Sequence, residues 1–391
     1  MAKDTTVLRS VLFFPNQHRV FYGAEAVAQF AESQGQGRLI RSIKKQLPTR
    51  SFVGTWIDDR PLNLEDIIGL FLAEMRKRAN AHFQADVDSV VLGRPARFAV
   101  EDADDKFAQF RLEESAKRAG FKHIEFCPEP IAAAQEFKGQ LKEEKVVCVA
   151  DFGGGTSDFT IVKIGPAEYH PRDVLSLGGV SIAGDALDGA IMRHDLSRYF
   201  GADVEYRIPF GSNILRMPIH LMERLCSPAD INYLEKRDIL EFLRNVKQWV
   251  INPVDREKLD RLLRLVEEQL GFYVFENIEG AKRGLSDADS VVINLDHPAI
   301  EIEESISRKN FDTFTESQVR AITSTLDETL KQAGLTPSQV DIVCCTGGTA
   351  KVPVIQKELV GRFGASKVLQ HNYFHSVVEG LTRVAAEVAK K

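Results

Sequence analysis

The chain has 391 residues, enough for a large core and two or more lobes. Apolar residues make up 44% and charged residues 27%, a soluble globular composition, and the net charge of −6 is spread over interspersed acidic and basic residues, which argues against a nucleic-acid or membrane surface. No apolar run reaches membrane-spanning length, and Met1-Ala2-Lys3-Asp4 is no secretion signal.

Residues 7–23 read as short strands: Val7-Leu8, then Ser10 to Phe14, a turn at Pro15-Asn16, and Arg19-Val20-Phe21. Residues 24–47 read as helix with a break near Gly35-Gly37. Residues 64–83 have helical apolar spacing, with Ile67, Ile68, Phe71, Leu72 and Met75. A strand over 87–92 leads into Gly93-Arg94-Pro95, followed by a helix over 101–119, a short strand at Ile124-Glu125-Phe126 and a helix over 130–137. This alternation predicts an α/β body up to about residue 145. A second α/β body follows, interrupted over about 188–304 by a mostly helical insert. Its helices are expected near 186–199, 213–226, 231–250 and 254–283, and strands return over 290–303. A helix over 315–333, the strand Asp341 to Thr346, a helix after Pro353 and a last helix over 377–390 complete the chain. The five cysteines (Cys127, Cys148, Cys226, Cys344, Cys345) lack zinc spacing. Cys148 and Cys344-Cys345 lie in apolar strand-like runs, as buried thiols of a reducing cytoplasm do.

The segment with the most chemical content starts the second body. Val146 to Ala150 is a continuously apolar run. It passes into Asp151-Phe152-Gly153-Gly154-Gly155-Thr156-Ser157-Asp158 and then into the β-forming Phe159 to Ile164, a strand–glycine turn–strand pattern. Three glycines reach conformations closed to other residues, so backbone N–H groups can converge on phosphate. Asp151 and Asp158 suit a hydrated divalent cation. No Walker loop is present and no helix follows the glycines, which excludes the dinucleotide fingerprint. An ordinary hairpin remains the alternative.

Other residues carry paired readings. Gly347-Gly348-Thr349 joins a strand to a helix, either to let backbone approach an anion or simply as a tight turn. Glu279, Lys282, Arg283 and Ser286 share one helix face by spacing, which a solvated charged surface also explains. Glu129, between Pro128 and Pro130, is a general-base or metal-water carboxylate, or a helix N-terminal charge. Lys44-Lys45 is a solvated basic pair or a functional one. His371 and His375 have metal-pair spacing without a further ligand.

The ordered set of motifs resembles the nucleotide-binding domain of the 70-kDa heat-shock protein family. It comprises Gly93-Arg94-Pro95-Ala96-Arg97-Phe98, Glu129-Pro130-Ile131-Ala132-Ala133-Ala134, Asp151 to Thr156, Gly184-Asp185 with Asp188, Glu279 to Ser286, and Gly347 to Pro353. Its Gly-Arg-Pro variant and length look most like the compact YegD-type members. The resemblance implies an α/β, actin-like ATPase (ribonuclease-H-type) fold of two lobes, residues 1–145 and 146–391, with nucleotide between them. It implies ATP or ADP with magnesium as ligands, and client or co-chaperone proteins as partners. Gly153, Gly154, Gly155 and Thr156 would wrap the β- and γ-phosphates, and Asp151 would hold the metal through water. Glu129 would position the attacking water, and Lys44 would steady the γ-phosphate. Gly184, Glu279, Lys282, Arg283 and Ser286 would line ribose and adenine, closed from the other side by Gly347, Gly348, Thr349 and Lys351. Sugar kinases and filament-forming actins are more distant alternatives.

Two features depart from the family pattern. Its first phosphate hairpin, Asp-x-Gly-Thr, is not found, since Asp4-Thr5-Thr6 has no glycine. The expectation is a first lobe lacking its N-terminal strands, through an upstream start or a truncation that impairs hydrolysis. In the second case the chain is a nucleotide-binding regulatory or interaction module. These 391 residues contain no acidic linker or β-rich peptide-binding domain, and the expectation is a client site on this domain or on another chain.

Overall fold

A computed structural model describes residues 8, 10–15, 19–33, 37–41, 43–57, 60–99, 101–138, 141–166, 171–298, 300–369 and 376–389. Asp4-Thr5-Thr6, Val7, His371 and His375 lie outside the described residues. The chain is a mixed α/β protein that divides into two compact units. One comprises Met1–Glu144, Ile164–Tyr169 and Phe374–Lys391; the other comprises Lys145–Lys163 and His170–Tyr373.

The first unit contains a three-stranded antiparallel sheet in the order Phe21–Tyr22, Val11–Phe14, Arg38–Arg41. The third strand corrects the expectation of helix on both sides of a break near Gly35-Gly37: α-helix occupies Gly23–Glu32, and among the described residues beyond the strand, up to 47, there is only the short turn Ile43–Gln46. Gly37, at φ +113°, turns the chain so closely that a Cβ there would sit 2.5 Å from the Phe14 carbonyl oxygen. Leu39 and Ile40 then pair with Phe13 and Leu12. A hairpin of Gly54–Ile57 and Arg60–Asn63, absent from the sequence expectations, precedes the next helix.

That helix, Leu64–Phe83, has the predicted bounds. Asn63 and Asp66 form a capping box at its start, satisfying N–H groups that a helix end leaves without partners. Its apolar face, Leu64, Ile68 and Leu72, packs with Ala108, Leu112 and Ala116 of the helix Asp102–Arg118. Arg111, only 3% exposed, is satisfied by Glu65 at 2.6 Å and by the Phe52 carbonyl at 3.0 Å. Charged groups are buried in this way only when so partnered. Parallel strands Ser89–Arg94 and His123–Pro128 run in register, Gly93 beside Cys127 and Arg94 beside Pro128. Their ends deliver Gly93-Arg94 and the helix Glu129–Lys138.

The last helix, Ser376–Val388, packs on Glu129–Lys138 and on the strand Ser89–Arg94. Its expected place was the second lobe, and its packing instead counts it in the first unit. Gly380 is the reason two helices approach so closely, because a Cβ there would lie 1.7 Å from the Ala132 carbonyl oxygen.

The second unit is built on a five-stranded sheet in the order Val174–Val180, Ser157–Ile164, Lys145–Phe152, Ile342–Thr346, Val368–Leu369. The first three follow one another along the chain. Ile342–Thr346 then inserts parallel to Lys145–Phe152, and Val368–Leu369 parallel to it. Cys148, Ala150, Phe152, Phe159, Ile161, Val343 and Cys345 belong to one buried core beneath the sheet. All five cysteines are free and buried. Burial pushes the Cys127 and Cys226 thiols up to about 11, so they are poor nucleophiles.

The helical stretch is more broken than its pattern suggests. The expected helix over 186–199 is an α-helix, Gly184–Ile191, continued by a π turn over Met192–Leu196 and a tighter turn over Ser197–Phe200. The expected helix over 213–226 contains a short strand, Leu215–Arg216, paired with Glu205–Tyr206, so that helix spans only Ile219–Leu225. The expected helix over 254–283 is two, Asp255–Glu267 and Gly271–Gly284. They are separated by Gln269 at φ +53°, a left-handed conformation that ends α-helices. Strands Ser290–His297 and Ile300–Ser307 form a hairpin.

Gly380→Val should force the last helix away from Ala132. Overpacking of this kind costs about 1–3 kcal/mol, read as a lowered urea midpoint with an unchanged denaturant slope. An unchanged midpoint would show that the close approach carries no stability.

Candidate functional site

In the first unit, strand register brings together residues far apart in sequence. Glu129 begins its helix where Ser89–Arg94 and His123–Pro128 end. A Cβ on Gly93 would lie 3.3 Å from the Glu129 Cγ, so that glycine makes room for the carboxylate. Lys44, in the turn Ile43–Gln46, donates from Nζ to Glu129 Oε1 at 2.5 Å across 85 residues of sequence. The Glu129 side chain is about one-fifth exposed and that of Lys44 about half. The pair is therefore accessible to a ligand and not buried in the core.

In the second unit, three segments converge on or beside the glycine turn. None of Gly153, Gly154 and Gly155 adopts a left-handed φ, so of the two properties of glycine, backbone freedom and the lack of a side chain, the second is the one used at Gly154. The Gly153 N–H donates to the Thr156 carbonyl at 2.9 Å, and the Gly154 carbonyl accepts from the Asp185 N–H at 2.6 Å. A Cβ on Gly154 would meet Asp185 Oδ1 at 3.0 Å. Thr156, exposed at the turn, donates to Asp158 at 2.9 Å. Gly184, the first residue of the helix Gly184–Ile191, lies where a Cβ would come within 2.7 Å of Thr349 Oγ1 and 3.3 Å of Lys282 Nζ. Thr349 Oγ1 donates to the Gly153 carbonyl at 3.1 Å. Lys282 Nζ donates to the Gly184 carbonyl at 3.2 Å.

The other end of the turn is fixed by strand pairing. Thr346 lies beside Asp151 in the parallel register and donates from Oγ1 to Asp151 Oδ1 at 2.6 Å. Gly347, at φ +82°, approaches so closely that a Cβ would be 2.0 Å from the Phe152 carbonyl oxygen. Only glycine tolerates that conformation and that distance together. Gly348–Lys351 forms a short helical turn before Pro353–Phe363, with Thr349 buried and Lys351 exposed.

The four residues predicted to share a helix face divide into different environments. Lys282 is buried and reaches Gly184. Arg283 is exposed and pairs with Glu279 at 3.9 Å, a surface ion pair of little energetic weight. Ser286 lies past the helix end at Gly284, placed by a turn in which its N–H donates to the Arg283 carbonyl at 3.0 Å.

Asp188 and Thr346 had no role assigned from sequence. Asp188 Oδ1 lies 2.8 Å from Lys282 Nζ, with no aligned hydrogen-bond donor of its own. Burial pushes its carboxyl up to about 6, and the Lys282 ammonium opposes the shift. Its signal was the motif Gly184-Asp185 with Asp188, which puts the carboxylate one helical turn inside the helix. For Thr346 the signal was a lone hydroxyl ending an apolar strand.

The chain matches the Hsp70 protein family over residues 29–206 and 267–382, more than half its length, and it belongs to that family. It is 24% identical to the chaperone protein DnaK of Thermosipho melanesiensis over 99% of this chain and 55% of that protein. It is 22% identical to DnaK of Thermotoga neapolitana over 99% and 55%, and 25% identical to DnaK of Thermus thermophilus over 76% and 40%. The chain thus spans about half the length of these curated relatives.

Asp188 gives this site a pH signature. Its folded-state carboxyl keeps its proton up to about pH 6, whereas in the unfolded chain it loses it near pH 4. The folded state therefore binds more protons in that window, and stability falls as pH rises from about 4 to about 6, by at most about 3 kcal/mol from this group. Urea unfolding across this range should show a shallower decline in Asp188→Asn than in wild type, the remainder including the similarly raised Asp195 carboxyl. Identical pH profiles for the two proteins would refute the assignment.

Proposed function

We propose that this protein is an adenine-nucleotide-binding, heat-shock-chaperone-like ATPase of the actin-like, two-lobed, ribonuclease-H-type fold. It hydrolyses ATP to ADP and phosphate with magnesium. One lobe would comprise residues up to about 145 with the last helix, and the other the remainder, with the mostly helical insert over 188–304. The observation that carries the reading is the convergence of Gly153, Gly154, Gly184, Lys282 and Thr349. Segments up to about 200 residues apart meet where side chains are kept minimal, at the first residue of the helix Gly184–Ile191 and beside the buried Lys282 ammonium. Such a place accommodates an anion.

The residues fit the ligands. Magnesium keeps several waters and takes one or two carboxylates together with substrate phosphates, which Asp151, at the start of the glycine turn, can serve through water. The bound cation would neutralise phosphate charge. Gly153, Gly154, Gly155 and Thr156 would hold the β- and γ-phosphates. Glu129 would accept a proton from the attacking water and orient it, while Lys44 offsets charge on the γ-phosphate. Phosphoryl transfer draws its catalysis mainly from such positioning and charge neutralisation. Gly184, Glu279, Lys282, Arg283 and Ser286 would contact ribose and adenine, with Gly347, Gly348, Thr349 and Lys351 on the opposite side of the base. The exposed Arg283 guanidinium can stack on the ring. Client or co-chaperone proteins would be the macromolecular partners, as the chaperone name of the relatives suggests. The five buried free thiols suit a reducing compartment such as the cytoplasm.

Glu129→Gln and Lys44→Ala should each lower single-turnover ATP hydrolysis about a hundredfold, the scale of a lost general base, with ADP affinity largely retained. Equal turnover in wild type and variants would defeat the enzymatic reading. Arg283→Ala should weaken ATP and ADP alike, by about three- to fivefold, the worth of a cation on an exposed ring. Calorimetric titration with both nucleotides checks this, and an unchanged ADP affinity would remove Arg283 from the site.

A further inference from the structure

We propose that Thr346 is a positioning residue that orients the Asp151 carboxylate toward the cation accompanying the nucleotide, so that magnesium strengthens nucleotide binding at lower concentration when its hydroxyl is present. The inference rests on the proposed nucleotide function and adds to it a determinant of metal coupling.

The strand Ile342–Thr346 reads Ile-Val-Cys-Cys-Thr, and its last four residues are buried. A hydroxyl there must find a partner, because an unsatisfied one costs about 1–3 kcal/mol. Valine would fill the same space without that demand. The hydroxyl does have a partner, and the parallel register determines which: Thr346 stands opposite Asp151, and Oγ1 lies 2.6 Å from Oδ1. A hydrogen bond to an ionised acceptor is stronger than one between neutral groups. Threonine is also stiff about χ1, so the donor is held in one direction.

The neighbouring residues make this bond a directional device and not only a strand clamp. Gly347 packs against the Phe152 carbonyl, so the backbones of the two strand ends are already locked together without the hydroxyl. Strand pairing likewise runs from Ile342↔Val147 to Thr346↔Asp151 independently of it. What the hydroxyl adds is control of the carboxylate's torsion. With Oδ1 anchored, the orientation of the whole carboxylate is set relative to the turn Gly153-Gly154-Gly155 that it introduces. A partner that orients a metal-associated carboxylate typically changes metal affinity by 10–100-fold.

The test compares wild type, Thr346→Val and Thr346→Ser in the full chain by calorimetric titration of ADP over a magnesium series that includes excess chelator. In Thr346→Val, ADP affinity without magnesium should stay within about twofold of wild type. The magnesium concentration giving half-maximal strengthening should rise about tenfold, at the lower end of that range. Thr346→Ser, which keeps the hydroxyl, should restore the wild-type magnesium dependence. A purely structural role would instead lower ADP affinity equally with and without magnesium, or lower the unfolding midpoint of Thr346→Val, and either result would overturn the proposal. So would an unchanged magnesium dependence in Thr346→Val beside a magnesium-coupled wild type, which leaves the nucleotide function standing. If wild type binds no adenine nucleotide, the proposed function fails and this inference fails with it.

Discussion

The parallel pairing of Ile342–Thr346 with Lys145–Phe152 is the constraint on which the rest of the second unit depends. Two strands almost 200 residues apart are held in one register, Thr346 beside Asp151. Parallel neighbours need a crossover, and here the crossover contains the whole helical stretch. Once the register is set, Gly347 must lie against Phe152, Thr349 reaches the Gly153 carbonyl, and the turn is held between Thr349 and the helix starting at Gly184. A one-residue slip would turn Thr346 and its apolar neighbours to opposite faces, separating Asp151 from its donor and burying nothing in exchange.

The first unit solves a similar problem with less burial. A parallel pair, Ser89–Arg94 and His123–Pro128, ends where Glu129 begins its helix, and Gly93 leaves room for the carboxylate. Lys44 comes from a short turn that rests on Leu47, a wholly buried residue beneath it. The Lys44–Glu129 pair is thus carried on a helix start and a short turn while its own atoms stay accessible. Groups that must meet a ligand need that combination.

Much of this was legible in sequence where local chemistry decides the outcome. The apolar run before Asp151 and the β-forming run after Thr156 marked the hairpin, and the apolar spacing of Ile67, Ile68, Phe71, Leu72 and Met75 marked the helix Leu64–Phe83. Tertiary facts were not legible. The strand Arg38–Arg41 depends on pairing with Val11–Phe14 and on Gly37, not on its own periodicity. Helical spacing placed Glu279, Lys282, Arg283 and Ser286 together, but only packing determines that Lys282 is buried against Asp188 while Arg283 is exposed. Within the glycine turn only Gly154 is held close enough for a Cβ to meet a neighbour tightly, at 3.0 Å from Asp185 Oδ1, and the left-handed residue of the site is Gly347. Family resemblance supplied what spacing could not, namely the expectation that Lys282 and Thr349, far apart in sequence, lie near each other in the second unit.

The central proposal is that the cluster around Gly153, Gly184, Lys282 and Thr349 binds the adenine nucleotide. Photolabelling with an azido-adenine nucleotide, followed by mapping of the modified peptides, addresses that claim most directly. The prediction is labelling within residues 279–286 or 347–351 that excess ADP abolishes. Labelling confined to other segments, or labelling that ADP does not displace, would contradict it.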